Sequence, residues 1–300
     1  MQGKHTRKNW KTALTLTVTG FVLTACSEVS LAVANFPTHF SDVEIKRDIA
    51  FGDKPTDKLD IYIPARQNSQ NKAYPVIVFF YGGRWSYGER GDYAFVGTTL
   101  AKQGYLTVIP DYSKYPQVKF PTFVEDGARA VQWVAENIEN YSGNANDIFV
   151  AGHSAGAHIG ALLAADEHYM KEAGGSAKLI KGFAGLAGPY DFEPEEPDLQ
   201  DMFGPPENYP QMQVTTFIDG NEAPMFLQYG GQDDTVHIRN LNLLRDKINA
   251  EGGQVETKIY PELDHVGIVG AFSWVLKSKS SVVADMTAFF NDIREGNANE

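Results

Sequence analysis

Gly152-His153-Ser154-Ala155-Gly156 sets a hydroxyl between two glycines, at the junction of a β-like run, Asp147 to Ala151, and a helix-like run, Ala157 to Ala165. A strand-to-helix turn this sharp brings backbones close together, so glycine is needed on both flanks. The turn lifts the serine hydroxyl above a sheet edge and puts a helix N-terminus beneath it. Unpaired N–H groups and the helix dipole favour negative charge there. A serine so placed suits covalent nucleophilic chemistry, which needs a base within reach, an acid to orient that base, and donors for an oxyanion. The bland alternative is a glycine-rich helix entry with an incidental serine, and the candidate partners elsewhere in the chain disfavour it.

The base with the best address is His265, in the loop Pro261-Glu262-Leu263-Asp264-His265 after the strand-like run 255–260. His5 lies near the start, His39 before the first strand, His168 on the helical stretch after the serine, and His237 at the opening of a later helix. His153 occupies the variable position of the elbow and is a candidate pocket residue. His158 is placed to pack beneath the elbow, as structure. The acid candidate is Asp233, just past the apolar run Met225 to Tyr229 and the turn Gly230-Gly231-Gln232, with Asp234 as its nearest rival. A carboxylate past the carboxyl end of a parallel strand lies at the edge where such sheets bind ligands. The oxyanion donors expected are backbone groups: the N–H of Ala155, and others from Tyr81-Gly82-Gly83-Arg84-Trp85, whose glycines allow close approach to a substrate oxygen.

The elements that must carry these residues alternate between strand and helix, which implies a mainly parallel sheet with helices on both faces, an α/β fold. Strands are expected at 43–49, 59–63, 75–81, 105–110, 147–151, 180–186, 224–229 and 255–260. Pro75 to Phe80 and Met225 to Leu227 are continuous apolar runs, as central parallel strands require. Val124, Ala128, Val131, Ala135 and Ile138 form one helical stripe, with Thr122 and Glu125 as an expected capping box. Ile238, Leu241, Leu244 and Ile248 form a second stripe; Val282, Met286, Phe289 and Ile293 form a third. From Tyr190 to Ala223 neither period is strong, and Pro, Asp and Glu dominate. No Lys or Arg occurs from Gly182 to Ile238. This reads as an irregular acidic insertion at 190–223, placed like a cap; a solvated acidic loop is the plainer reading.

Three hundred residues with 43% aliphatic and aromatic content suffice for one large domain, expected at 42–295 with a polar tail at 296–300. A net charge of -12 disfavours nucleic acid as a partner. Residues 1–25 read as an export signal: Lys4, Arg7, Lys8 and Lys11, then an apolar stretch from Thr12 to Ala25. Leu23-Thr24-Ala25-Cys26 resembles a bacterial lipobox, which implies lipidation of Cys26, the sole cysteine, and a cell-envelope location at the outer membrane or periplasmic face. A secretory cut after Ala32-Val33-Ala34, giving a soluble periplasmic or secreted protein, is the alternative. Residues 26–41 read as a polar linker. Loss of 1–25 leaves 22 basic against 38 acidic residues, so membrane association would rest on the acyl anchor rather than on bulk charge. No His-Glu-x-x-His, cysteine cluster, P-loop or Gly-x-Gly-x-x-Gly after a strand is present, so neither metal nor cofactor is expected.

Taken together, Tyr81-Gly82-Gly83-Arg84-Trp85-x-x-Gly88, Asp111-Tyr112, Pro121…Asp126, Gly152 to His158, and Asp233…His265 resemble the esterase/lipase branch of α/β-hydrolases. The feruloyl-esterase-like and arylformamidase-like carboxylesterases look nearest. The resemblance spans roughly 42–294 and implies an eight-stranded, mostly parallel α/β-hydrolase sheet. It also implies a Ser154–His265–Asp233 triad acting on a small-molecule carboxylic ester. The pattern Gly230 to Val236 resembles the family's acid loop and favours Asp233 over Asp234. By position, the oxyanion donors become Gly83, Arg84 and Ala155, with Tyr81 and Trp85 beside the pocket. Asp111, Tyr112 and Asp126 look structural. Two departures stand out: Tyr81 replaces the usual His, and Arg84 replaces a third glycine found in many relatives. An aryl-formamide or amide hydrolase, a peptidase, and a binding lipoprotein on an inactive scaffold are the other readings.

Overall fold

A computed structural model describes residues 31–65 and 73–297. The expected export signal, Cys26 and the end of the tail lie outside the described residues. Eight strands form one sheet in the order β1-β2-β4-β3-β5-β6-β7-β8. They are β1 Glu44–Ala50, β2 Lys58–Ile63, β3 Tyr74–Phe80, β4 Leu106–Pro110, β5 Gly143–His153, β6 Ile180–Leu186, β7 Met225–Gly230 and β8 Val255–Tyr260. The pairs β1–β2 and β2–β4 are antiparallel, and the remaining pairs are parallel. This is the α/β-hydrolase arrangement. β3 is apolar along its length because helices cover both of its faces, and Val76 to Phe80 are wholly buried.

The helices are α1 Ala94–Lys102, α2 Thr122–Asn137, α3 Ala155–Ala165, α4 Glu167–Glu172, α5 Pro197–Phe203, α6 Tyr209–Met212, α7 Arg239–Glu251, α8 His265–Gly270 and α9 Val282–Asn297. Phe80 of β3 faces α2, and Phe149 of β5 packs on Phe290 of α9 at 4.5 Å on the opposite side. The sheet is thus sandwiched, and its parallel carboxyl ends converge on one edge.

Three expectations change. α2 begins at Thr122 with Pro121 as its cap, so Thr122 is already helical and the capping box does not form. The stretch from residue 31 is no free linker: it forms helical turns, and Asn35 donates to Asp92 O and accepts from Phe95 N, both at 2.8 Å. The insertion 190–223 is only partly irregular. It folds into α5, α6 and two 3-10 turns, and buries Leu199, Met202, Phe203, Met212 and Val214. Each piece is a turn or two long and most open with proline, too short to show a period in sequence.

Candidate active site

Ser154 stands at the end of β5, with φ 54° and ψ -122°. A serine is held in that sparsely populated conformation only because its surroundings fix it. Its N–H donates to Leu186 O at 2.9 Å on the neighbouring strand. Behind it the chain doubles back so tightly that a Cβ on Gly156 would sit 2.1 Å from Phe80 O, and one on Gly152 2.4 Å from Gly156 O.

The structure brings Ser154, His265 and Asp233 into one series. His265 Nε2 lies 2.9 Å from Ser154 Oγ, and its Nδ1 lies 2.8 Å from Asp233 Oδ2. The two oxygens of Asp233 divide the work. Oδ1 accepts the N–H groups of Thr235 and Val236, both at 2.9 Å, and Oδ2 is left for the imidazole. Burial alone would raise the Asp233 carboxyl, but the hydrogen bonds from His265, Val236 and Thr235 outweigh it and hold the group below its ordinary value. Asp234 is exposed and, among the described residues, meets only the Thr235 hydroxyl, at 3.4 Å. His265 is not in an open loop; it opens α8, which Asp264 caps by accepting the Gly267 N–H at 2.6 Å.

The loop after β3 approaches from the adjacent strand. Gly83, Arg84 and Trp85 have φ of 134°, 52° and 56°. Ser86 and Tyr87 both donate to Gly83 O, closing the turn. The N–H groups of Gly83, Arg84 and Ala155 have no protein acceptor among the described residues.

A match to the BD-FAE family covers residues 59–248. The chain belongs to the BD-FAE family. It is 34% identical over 159 residues to a probable isoprenylcysteine alpha-carbonyl methylesterase from Oryza sativa subsp. japonica, covering 52% of this chain and 38% of that protein. It is 27% identical over 258 residues to the isoprenylcysteine alpha-carbonyl methylesterase of Arabidopsis thaliana, covering 77% of this chain and 58% of that one. The chain thus spans about two to three fifths of the length of these curated relatives. An inhibited esterase B from Lactobacillus rhamnosis shares the fold with a TM-score of 0.78 at 20% identity, covering 96% of this chain and 98% of that one.

In this BD-FAE chain the other candidate side chains are buried. The Tyr81 hydroxyl donates to Asp111 Oδ1 at 2.6 Å, and its ring stacks between Tyr93 and Tyr112. With no exposed surface, Tyr81 shapes the loop from behind rather than lining an open pocket. Asp111 also pairs with Arg90, while Asp126 accepts from Ser113 N, Lys54 and Arg129. His153 places Nε2 2.9 Å from the backbone oxygen of His265, and burial lowers its pKa to about 3. A neutral ring that donates here holds His265 in position, a role its place in the motif did not reveal.

Trp85 stacks on Phe192 at 5.9 Å and meets Phe203 edge-on at 4.9 Å; both partners belong to the insertion. His158 joins the same cluster: its Nε2 lies 2.7 Å from Met212 O, and burial lowers its pKa to about 4. The Arg84 guanidinium grips Asp198 of α5, with Nη2 2.9 Å from Oδ1 and Nε 3.3 Å from Oδ2. That contact holds the Asp198 carboxyl below its usual value. Sequence reasoning missed the pair, although an insertion without any cation had to find one elsewhere. An open cleft of about 610 Å³ lies on the insertion, lined by Glu193, Glu195, Gln200, Tyr209 and Gln213 among others, and none of Ser154, Asp233 or His265 borders it. No cluster of three or more His, Cys, Asp or Glu among the described residues could hold a metal ion.

Proposed function

We propose that the protein is a serine hydrolase of carboxylic esters. The observation that carries this is the unbroken series Asp233–His265–Ser154, with both links under 3 Å. Ser154 Oγ attacks the ester carbonyl as His265 Nε2 takes its proton. Asp233 keeps Nδ1 protonated, so that Nε2 is the free base, and balances the imidazolium. The oxyanion accepts hydrogen bonds from Ala155, Gly83 and Arg84; losing one such donor typically costs about 2.7–4 kcal/mol in the barrier. The imidazolium returns its proton to the departing alcohol. Water, deprotonated by the same ring, then releases the acid from the acyl-enzyme. The esterase names of relatives and structural neighbours support this reaction class.

A fluorophosphonate probe tests it. Wild-type protein is expected to be labelled and Ser154→Ala to resist labelling. Folded wild-type protein that takes no label and cleaves no ester from an acetyl-to-long-acyl panel would return the chain to a binding role.

We further propose that the chain is exported and anchored through an acylated Cys26, on the strength of Leu23-Thr24-Ala25-Cys26 after a basic, apolar leader. Mass spectrometry of the protein from bacterial membranes is expected to find a diacylglyceryl Cys26 at the N-terminus. A mature chain starting elsewhere would remove the anchor.

A further inference from the structure

The chain enters the domain through a sheath of exposed apolar side chains. Eight large hydrophobic residues are exposed among the described residues, and five belong to two adjoining segments: Val33, Phe36, Phe40, Trp274 and Val275. Scattered apolar residues are ordinary on a surface, but a contiguous patch marks an interaction site. Val33, Phe36 and Phe40 recur at spacings of three and four on helical turns and share one side. Phe36 and Phe40 are 60% and 79% exposed, with ring centroids 5.5 Å apart. Trp274 lies against this segment, half exposed, and its Nε1 donates to Val33 O at 2.9 Å.

That hydrogen bond limits what can cover the patch. An indole buried in an apolar phase normally strands its N–H, which costs free energy. Here the donor is already paired within the protein, so the ring can leave water with no orphaned group. The next residues of the same turn supply Lys277 and Lys279, both exposed and without an ion pair among the described residues. Aromatic side chains edged by lysine match the boundary between lipid acyl chains and phosphate headgroups. The position also fits. Asn35 fastens the segment to the start of α1, and Trp274 follows α8, which His265 opens. The patch therefore adjoins the rim that carries the candidate site.

We propose that Val33, Phe36, Phe40, Trp274 and Val275 form a bilayer-docking face, with Lys277 and Lys279 meeting lipid phosphates. The orientation rests on the Cys26 anchor proposed above. Four residues separate Cys26 from Leu31, and that tether spans at most about 18 Å when extended. An acylated Cys26 would hold this face against the membrane, and the side chains there are suited to stay.

The test uses the full chain, processed in bacteria and reconstituted in vesicles of phosphatidylcholine with phosphatidylglycerol. Part of the phosphatidylcholine carries brominated acyl chains. The emission of Trp274 is isolated by difference from Trp274→Phe. Quenching of Trp274 by the brominated lipid is expected, with at least half of it lost in Phe36→Ser/Phe40→Ser. Lys277→Gln/Lys279→Gln should weaken it only where phosphatidylglycerol is present. Unchanged thermal unfolding of the variants separates docking from misfolding. An acylated chain whose Trp274 is not quenched overturns the proposal. If mass spectrometry finds no acyl group, the anchor fails alone, and the same quenching, read on chain added to preformed vesicles, decides the docking face. A patch covered by a second copy would show as Phe36→Ser/Phe40→Ser converting a dimer to a monomer with Trp274 unquenched, which also overturns it.

Discussion

Gly156→Ala is the most direct probe of how the fold sets the proposed nucleophile. The added methyl would lie 2.1 Å from Phe80 O, 2.4 Å from Phe80 C and 2.4 Å from Tyr81 O. All three are backbone atoms of β3 and the loop beyond it, so no side chain can swing aside. Reaching ordinary contact requires α3 and β3 to part by roughly 1 Å, and overpacking of that kind costs about 1–3 kcal/mol. For a domain of this size that is a Tm lower by a few degrees to about ten. The catalytic consequence is larger. Ser154 immediately precedes α3 and lies 2.9 Å from His265 Nε2; an ångström of displacement carries the pair beyond hydrogen-bond range. Misplacement on that scale costs on the order of 100-fold in rate. Gly104→Ala is the control for backbone strain without a clash: its φ of 93° disfavours a side chain, but nothing lies within 4 Å of the new methyl. That variant should lose about 1 kcal/mol of stability and keep its activity. Steady-state hydrolysis of a short-chain nitrophenyl ester, with thermal unfolding of each variant, reads both effects. A folded Gly156→Ala within about threefold of wild-type kcat/KM would refute the view that this close approach sets the serine.

Asp233→Asn should lower kcat by about 10³–10⁴ with little change in KM, as expected when the group that fixes the base's tautomer is lost, whereas Asp234→Asn should stay within about twofold; equal effects would reassign the acid. Acid sensitivity should begin early: His153 and His158 are neutral when folded, with pKa values lowered to about 3 and about 4, against roughly 6.5 unfolded. Between these values the unfolded chain binds more protons, so stability is full above about pH 6.5 and falls on acidification by up to about 1.4 kcal/mol per pH unit for each group. The depressed carboxyls of Asp233 and Asp126 add their loss lower, below about pH 4. Urea unfolding at pH 7, 6, 5 and 4 measures the slope; His158→Gln should reduce it by about half between pH 6.5 and 4.5, and an unchanged slope would exclude that ring as a source. Asp198→Asn should lower kcat several-fold at constant KM in the same ester assay, because Arg84 loses its partner while substrate contacts remain; charge reversal in Arg84→Asp/Asp198→Arg should restore part of the loss.

Much of the sheet is legible because its central strands, β3 and β7 among them, are apolar runs bounded by turns; β6 falls where the sequence puts it, and so does the polar edge strand β8. The three side chains of the proposed triad are legible for a related reason: each sits just past a strand, and parallel strands deliver their carboxyl ends to one edge. The pattern Gly230 to Val236 favours Asp233 over Asp234, and the amides of Thr235 and Val236 turn the Asp233 carboxylate inward. What escapes is set by neighbours that the local pattern does not weigh. Thr122 looks like a cap until Pro121 takes that place. His153 reads as a pocket side chain because its motif position is variable; its hydrogen bond reaches 112 residues onward.

The insertion shows why those distant contacts matter to chemistry. Arg84 and Trp85 both have left-handed φ angles, which cost non-glycine residues about 1–2 kcal/mol each. Such conformations persist where neighbours over-determine them. Arg84 is held through its guanidinium by Asp198, and Trp85 through its ring by Phe192 and Phe203. The helix α3, which Ser154 precedes, is tied to the same insertion through His158 and Met212 O. The insertion therefore braces two sources of the proposed oxyanion donors at once, the loop after β3 and the N-terminus of α3. A glycine at position 84 could adopt its angle unaided but would offer nothing for α5 to grip. An arginine there makes the geometry of the loop depend on the docking of residues 190–223, which couples whatever the insertion contacts to the position of the Arg84 N–H.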